Sequence, residues 1–229
     1  FGSRGKLKQA GDFVIALGEA VVKRVTSIKY LGVTLDQFLN FGDHLESVLK
    51  KASAKLSFLH RHTSFLDQNT RGMLSLSLVS SGLEYCSSAW YPGLSATLRN
   101  KLNVIQRKLV RFVLNLGPRE HVGDSEICSL SWLPFPKRVT YYNMVHIFKI
   151  RNGLAPSYLA SEFQNISSIH SYSLRRADVN FSLSKCKSPV GTFSRTCISD
   201  WNSLPSELKE IRSLNVFRSR LKSHLTSCD

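Results

Sequence analysis

Asp43-His44-Leu45-Glu46-Ser47-Val48-Leu49-Lys50-Lys51-Ala52-Ser53-Ala54-Lys55-Leu56-Ser57-Phe58-Leu59 opens the stretch, residues 40–116, whose reading decides the fold. Leu45, Val48, Leu49, Ala52, Leu56 and Leu59 recur at three- and four-residue steps, the spacing of one helix face. Asp43 has the chemistry of an N-cap, and Glu46 three residues on completes a capping box. Lys50, Lys51, Lys55 and Arg61 fall mostly off the apolar stripe. A second helix is predicted from a cap at Asn69 or Thr70, carrying Met73, Leu74, Leu76, Leu78 and Val79. A third runs from Ser95, with Leu98, Leu102, Ile105, Leu109, Phe112, Val113 and Leu116 on its apolar side and Arg99, Lys101, Arg107, Lys108 and Arg111 on the other. Gly117-Pro118 is its predicted stop.

Upstream, Phe13 to Leu17 and Val21 to Leu35 read as strands, the second rich in Val, Ile and Thr. Gly18-Glu19-Ala20 between them is a turn signal, so the two runs are expected to form a hairpin, which needs further packing to be stable in water. Downstream, Tyr85 to Pro92 is aromatic and turn-like, residues 119–125 form a polar loop, and Glu126 to Trp132 reads as a short helical turn. A fourth long helix is predicted from Lys137 to Asn152, with Val139, Tyr142, Met144 or Val145, Ile147 and Phe148 apolar and Asn152-Gly153 as its stop. Serines crowd residues 167–188, which read as extended backbone. Val190 to Trp201 reads as helix, Ser203-Leu204-Pro205 as a turn, and the last helix starts near Ser213 with Leu214, Phe217, Leu221 and Leu225 on one face.

The 229 residues suit one ordinary domain or two small ones, and 42% hydrophobic content supplies a core. The formal charge is +15, from 31 Lys and Arg against 16 Asp and Glu, which favours a polyanionic partner, nucleic acid before membrane. The five cysteines, Cys86, Cys128, Cys186, Cys197 and Cys228, are widely spaced and show no C-x-x-C pair, which argues against a structural zinc and for reduced thiols in an intracellular protein of nucleus or cytoplasm. No apolar run reaches membrane-spanning length, and no signal peptide opens the chain. The first residue is not Met, so a fragment or a processed product is expected.

The search for chemistry finds no catalytic residue and no metal ligand set. A polymerase or nuclease site needs clustered carboxylates to hold two cations, whereas Asp36, Asp43 and Asp67 are scattered and suit turns and caps. Gly2-Ser3-Arg4-Gly5-Lys6 lacks P-loop spacing, and no G-x-S-x-G occurs. His60 and His62, two apart on a helix, point to different sides. What remains are the basic helix faces. Lys and Arg on a helix contact successive phosphates, giving salt-dependent affinity without sequence choice; a single such run more commonly means only a solvated face. Trp90, Tyr91, Trp132, Tyr141, Tyr142 and Trp201 are base-stacking candidates, though aromatics more often fill cores.

One further reading comes from likeness. Ile28-Lys29-Tyr30-Leu31-Gly32-Val33, then Leu35-Asp36, then Gly42-Asp43-His44-Leu45, resembles non-LTR (LINE-type, jockey-like) retrotransposon reverse transcriptases. Lys51-Ala52-Ser53-Ala54-Lys55-Leu56, Leu83-Glu84-Tyr85-Cys86-Ser87 with Trp90, Leu102-Asn103-Val104-Ile105-Gln106-Arg107-Lys108, Trp201-Asn202-Ser203-Leu204-Pro205 and Phe217-Arg218-Ser219-Arg220-Leu221 extend the likeness in order along nearly the whole chain. The resemblance implies an α+β, mainly α fold: a palm-end β-hairpin over residues 1–40, a helical thumb-like bundle over 41–118, a helical connector over 119–160 and a mixed C-terminal region over 161–229. It also implies that the metal-binding aspartates, with the Tyr-x-Asp-Asp box, belong to palm and fingers domains upstream. This chain alone would then need no cofactor, Mg being expected only for the complete polymerase. Tyr30, Leu31 and Gly32 match the strand supporting the primer end, and Lys50, Lys51, Lys55, Arg99, Lys101, Arg107, Lys108 and Arg111 would meet the backbone of RNA, DNA or an RNA–DNA hybrid. Two rival readings stand beside this one: a non-enzymatic basic helical module for nucleic acid or protein, and an inert relic.

Overall fold

A computed structural model describes residues 1, 2, 5, 7, 15–62, 65–161, 163, 165, 166, 179–182 and 192–227. The chain is α+β and mainly α, with two small antiparallel hairpins ahead of the helices. It divides into two compact units, Phe1–Cys86 with Gly93–Ile105, and Ser87–Pro92 with Gln106–Asp229.

In the first unit β1 (Ile15–Leu17) pairs with β2 (Ala20–Val22), and β3 (Ser27–Tyr30) with β4 (Val33–Asp36). The run from Val21 to Leu35 is therefore not one strand. It folds back at Leu31-Gly32, where both residues have positive φ, 44° and 84°. Two consecutive left-handed residues are what a tight two-residue hairpin turn with the sheet's own twist demands. Glycine takes that geometry freely and leucine does not. The Tyr85 hydroxyl donates to the Leu31 carbonyl at 2.8 Å and holds the turn from 54 residues away. Residues 13 and 14, also read as strand, lie outside the described residues.

The first long helix, α1 (Gly42–His62), buries Leu45, Ala52, Leu56 and Leu59 of the predicted stripe, leaves Val48 and Leu49 half-buried, and also buries His44, which the spacing did not mark. Its entry differs from the sequence reading. Asp43 lies in the first helical turn, where its charge suits the positive helix end. Asn40 Oδ1 accepts from the first helical N–H, Gly42, at 3.1 Å, and Asp36 braces the loop before it, its carboxylate accepting from the backbone N–H groups of Phe38, Asn40 and Phe41 (2.9, 3.0 and 2.8 Å). These bonds fix Phe41 at φ 57°.

The next helix, α2 (Gln68–Leu74), is capped by Asp67, which accepts from Asn69 and Thr70. The two residues predicted as caps are thus the donors. The helix widens into a π-helical segment, Ser75–Ser80, before α3 (Ser81–Glu84). Within and after the wider winding Leu76 and Leu78 face solvent while Val79 and Leu83 are buried, and Met73, ahead of it on α2, is exposed too. Tyr85 and Cys86 make the turn into α4 (Ser87–Trp90), which together with the 3-10 turn Tyr91–Gly93 occupies the stretch read as loop. The long helix α5 (Ala96–Leu114) starts where expected, with Ser95 Oγ accepting from Leu98 N–H at 3.4 Å. It stops earlier, at left-handed Asn115 (φ 56°) rather than at Gly117.

In the second unit Gln106 organises one end of the core. Its Nε2 donates to the Leu133 carbonyl and its Oε1 accepts from Phe135 N–H, both at 2.8 Å, which fixes the chain entering α7 (Phe135–Arg151). Phe135 stacks on buried Trp90 at 6.3 Å. The short helix α6 (Asp124–Ser129) precedes it and α8 (Ser157–Ala160) follows. The helices α9 (Phe193–Ser203), α10 (Ser206–Lys209) and α11 (Leu214–Ser227) complete the unit. Met144, Ile147 and Phe148 of α7 share one core with Cys197, Ile198, Trp201, Phe217 and Leu221, and Phe148 stacks on Phe217 at 4.4 Å. The extended reading of residues 167–188 lies outside the described residues except at 179–182.

Candidate nucleic-acid interface

Helical geometry sorts the α1 lysines. At about 100° per residue, Lys51 and Lys55 share one edge of the buried stripe while Lys50 points away from it. The structure draws the first two, but not Lys50, into a cleft of about 300 Å³ lined also by Lys29, Gly32, His44 and Tyr85. Lys29 stands on β3 opposite Thr34. Gly32 belongs there for a steric reason: a Cβ on it would sit 3.1 Å from Tyr85 Cε1. Lys55 Nζ donates to the Leu78 carbonyl in the π-helical segment at 2.7 Å, which leaves two of its three ammonium protons for another acceptor.

His44 is the buried polar residue of the cleft. Thr34 N–H donates to its Nδ1 at 3.3 Å, so the proton of the neutral ring sits on Nε2. Burial, and after it the charge of Lys51, holds the imidazole below its usual pKa. The positive charge of the cleft is thus lysine charge. Lys51 and Lys55, four residues apart, repel by a few tenths of a kcal/mol, about 0.2–0.5 on a helix surface, and none of the described lining residues is a carboxylate.

The remaining predicted residues have separate surroundings. Tyr30 and Leu31 are exposed at the β3–β4 turn. Lys101 faces Glu46 at 3.6 Å, and Arg99 is half-buried. In the second unit Arg107 and Lys108 are exposed on α5, whereas Arg111 Nε donates to the Glu120 carbonyl at 2.9 Å and secures the loop after the helix. Sequence reasoning singled out Lys51, Lys55 and Gly32 of the cleft and missed Lys29, His44 and Tyr85. All three lie inside the quoted family-like motifs, and that was the available signal.

The aromatics divide as well. Trp90, Trp132 and Trp201 are buried, and Trp201 Nε1 donates to the Val179 carbonyl at 2.9 Å. They are core residues rather than base-stacking ones. Among the described residues no group of three or more His, Cys, Asp and Glu is placed to hold a metal ion, and no helix is long and apolar enough to cross a membrane. Cys86, Cys128 and Cys197 are free thiols; Cys186 and Cys228 lie outside the described residues.

No family model matches the chain, and no solved structure matches it. Two curated relatives do, both from Nasonia vitripennis. One is the retrovirus-related Pol polyprotein from type-1 retrotransposable element R1 2, 25% identical over 138 residues that make up 58% of this chain and 33% of that protein. The other is the corresponding Pol polyprotein from element R1, 27% identical over 139 residues, 57% of this chain and 41% of that protein. The chain is related to non-LTR retrotransposon Pol polyproteins. The matches span about a third to two-fifths of the relatives' length.

Proposed function

We propose that this reverse-transcriptase-related chain corresponds to the end of the palm, the thumb and the C-terminal region of a jockey-like polymerase, and that it binds the backbone of a template–primer duplex. Two facts support the reading: the relatedness to Pol polyproteins, and exposed cations on helix surfaces whose opposite faces are buried. The observation that carries it is Arg107-Lys108 standing exposed on α5 behind the buried Leu109-Val110 pair. Guanidinium and ammonium groups on a helix surface suit phosphates, contacts that position a duplex without reading its sequence.

The described residues offer no carboxylate cluster that fits a divalent ion. No chemical step is therefore assigned to them, and the proposed activity is binding alone. Primer extension by the purified chain would sink that part of the reading.

The binding itself is tested with an RNA–DNA hybrid, duplex DNA and single strands across a salt series. Affinity should fall steeply with salt, without sequence preference. Arg107→Gln with Lys108→Gln should reduce the log–log salt slope by about one for each phosphate that the altered side chains no longer neutralise. Arg111 is kept intact because it holds the Glu120 carbonyl. Absence of binding at low salt overturns the proposal.

A further inference from the structure

The cleft of the first unit is built differently from the exposed helix faces. Lys29 comes from β3, Lys51 and Lys55 from α1, Val79 from the π-helical segment and Gly82 from α3, with Tyr85 just after it. Four elements thus converge on one concavity of about 300 Å³, at the lower end of the size range of ligand pockets. None of the described side chains that line it is acidic, so among them the ammonium charge meets no carboxylate inside the cleft. Three side chains of the cleft, Lys55, His44 and Tyr85, are held by hydrogen bonds. Lys55 is oriented by a carbonyl of the π-helical segment, a local irregularity often found at functional sites. His44 is locked in one tautomer by Thr34, with its N–H on Nε2. Tyr85 clasps the turn that carries Gly32, and Gly32 leaves room for the tyrosine ring.

We propose that the cleft of Lys29, His44, Lys51, Lys55 and Tyr85 is a phosphate-binding site that takes a single phosphate group. It rests on the nucleic-acid reading for its natural source, a phosphodiester or terminal phosphate of the bound strand. The same chemistry would accept free phosphate, and the experiment separates the two. Ammonium groups supply charge and rotatable donors, three of them on one concavity.

The test follows the His44 ring resonances of the full chain by NMR during titration with inorganic phosphate, and separately with a short RNA–DNA hybrid. Lys29→Gln, Lys51→Gln and the α5 pair Arg107→Gln/Lys108→Gln are compared with the unaltered chain, with thermal melts confirming that each is folded. Both ligands should shift His44. The cleft variants should abolish the phosphate response and reduce the salt slope of hybrid binding by about one per lysine. The α5 variant should leave the phosphate response unchanged.

A hybrid that binds while His44 stays still, and with a slope unaltered in K29Q and K51Q, overturns the cleft assignment and leaves the broader binding reading standing. Failure to bind the hybrid with a retained phosphate response at His44 supports a site for free phosphate and removes the nucleic-acid reading. No His44 response to either ligand overturns the cleft proposal.

Discussion

Single residues explain one of the family-like motifs without invoking a ligand. In Trp201-Asn202-Ser203-Leu204-Pro205, Trp201 fills the core and donates to Val179. Asn202 accepts from Phe181 N–H and donates to the Phe181 carbonyl, at 3.0 and 2.8 Å. The pair ties the end of α9 to a backbone segment that carries an isolated antiparallel bridge, Asn165 to Phe181. Just before the motif stands Asp200, whose carboxyl is pushed above its usual value of 3.8 by burial. Burial, and then Asp200, raise the neighbouring Cys197 thiol, which stays protonated and unreactive. A carboxyl with a raised folded pKa holds its proton more tightly in the folded than in the unfolded chain. Stability is then lost as pH rises from about 3.8 through the folded pKa. Asp200→Asn should therefore raise the melting temperature at neutral pH, with the gain disappearing below pH 3.8. A gain that persists at low pH would mean the effect is not electrostatic.

At the scale of elements, short helices depend on their caps. Glu126 of α6 reaches back and accepts from Gly123 N–H at 2.7 Å. Gly123 has no side chain to return the bond, so only half a capping box is built. The Gly123 N–H, and then the helix's own N–H and Ser125, hold the Glu126 carboxyl below its usual 4.5. Its depressed pKa contributes stability that is present above 4.5 and lost as pH falls through the folded value. Glu126→Gln should lower the melting temperature at neutral pH, and the gap should close on acidification; a gap independent of pH would refute the charge argument.

Element boundaries also show what the sequence could and could not reveal. The spacing of Leu45, Ala52, Leu56 and Leu59 was a legible helix because one buried face repeats with the helical period. The π-helical segment was not, since a period of 3.6 cannot anticipate wider winding. The turn at Leu31 was hidden because leucine is not a turn signal. Its left-handed backbone is sustained by Tyr85, a partner that only the tertiary fold supplies. The candidate site divides in the same way: His44, Lys51 and Lys55 share one helix, while Lys29 and Tyr85 meet them only across elements.

For the whole molecule, the net charge of +15 favours any polyanion, so salt dependence alone identifies no cognate ligand. The two compact units offer a sharper question, whether each core melts by itself. All three tryptophans, Trp90, Trp132 and Trp201, belong to the second unit. Tryptophan fluorescence thus reports on that unit, while far-ultraviolet circular dichroism reports on the helices of both. Leu45, fully buried on α1, belongs to the first. Leu45→Ala removes packing and leaves a cavity, at a cost of about 2–5 kcal/mol. If the units unfold separately, this variant should lose part of its dichroism at lower temperature with the fluorescence midpoint unmoved, whereas Phe148→Ala in the second core should shift the fluorescence midpoint. Coincident transitions displaced together in both variants would instead mean one cooperative body, with α5, which contributes residues to both units, as the element that couples them.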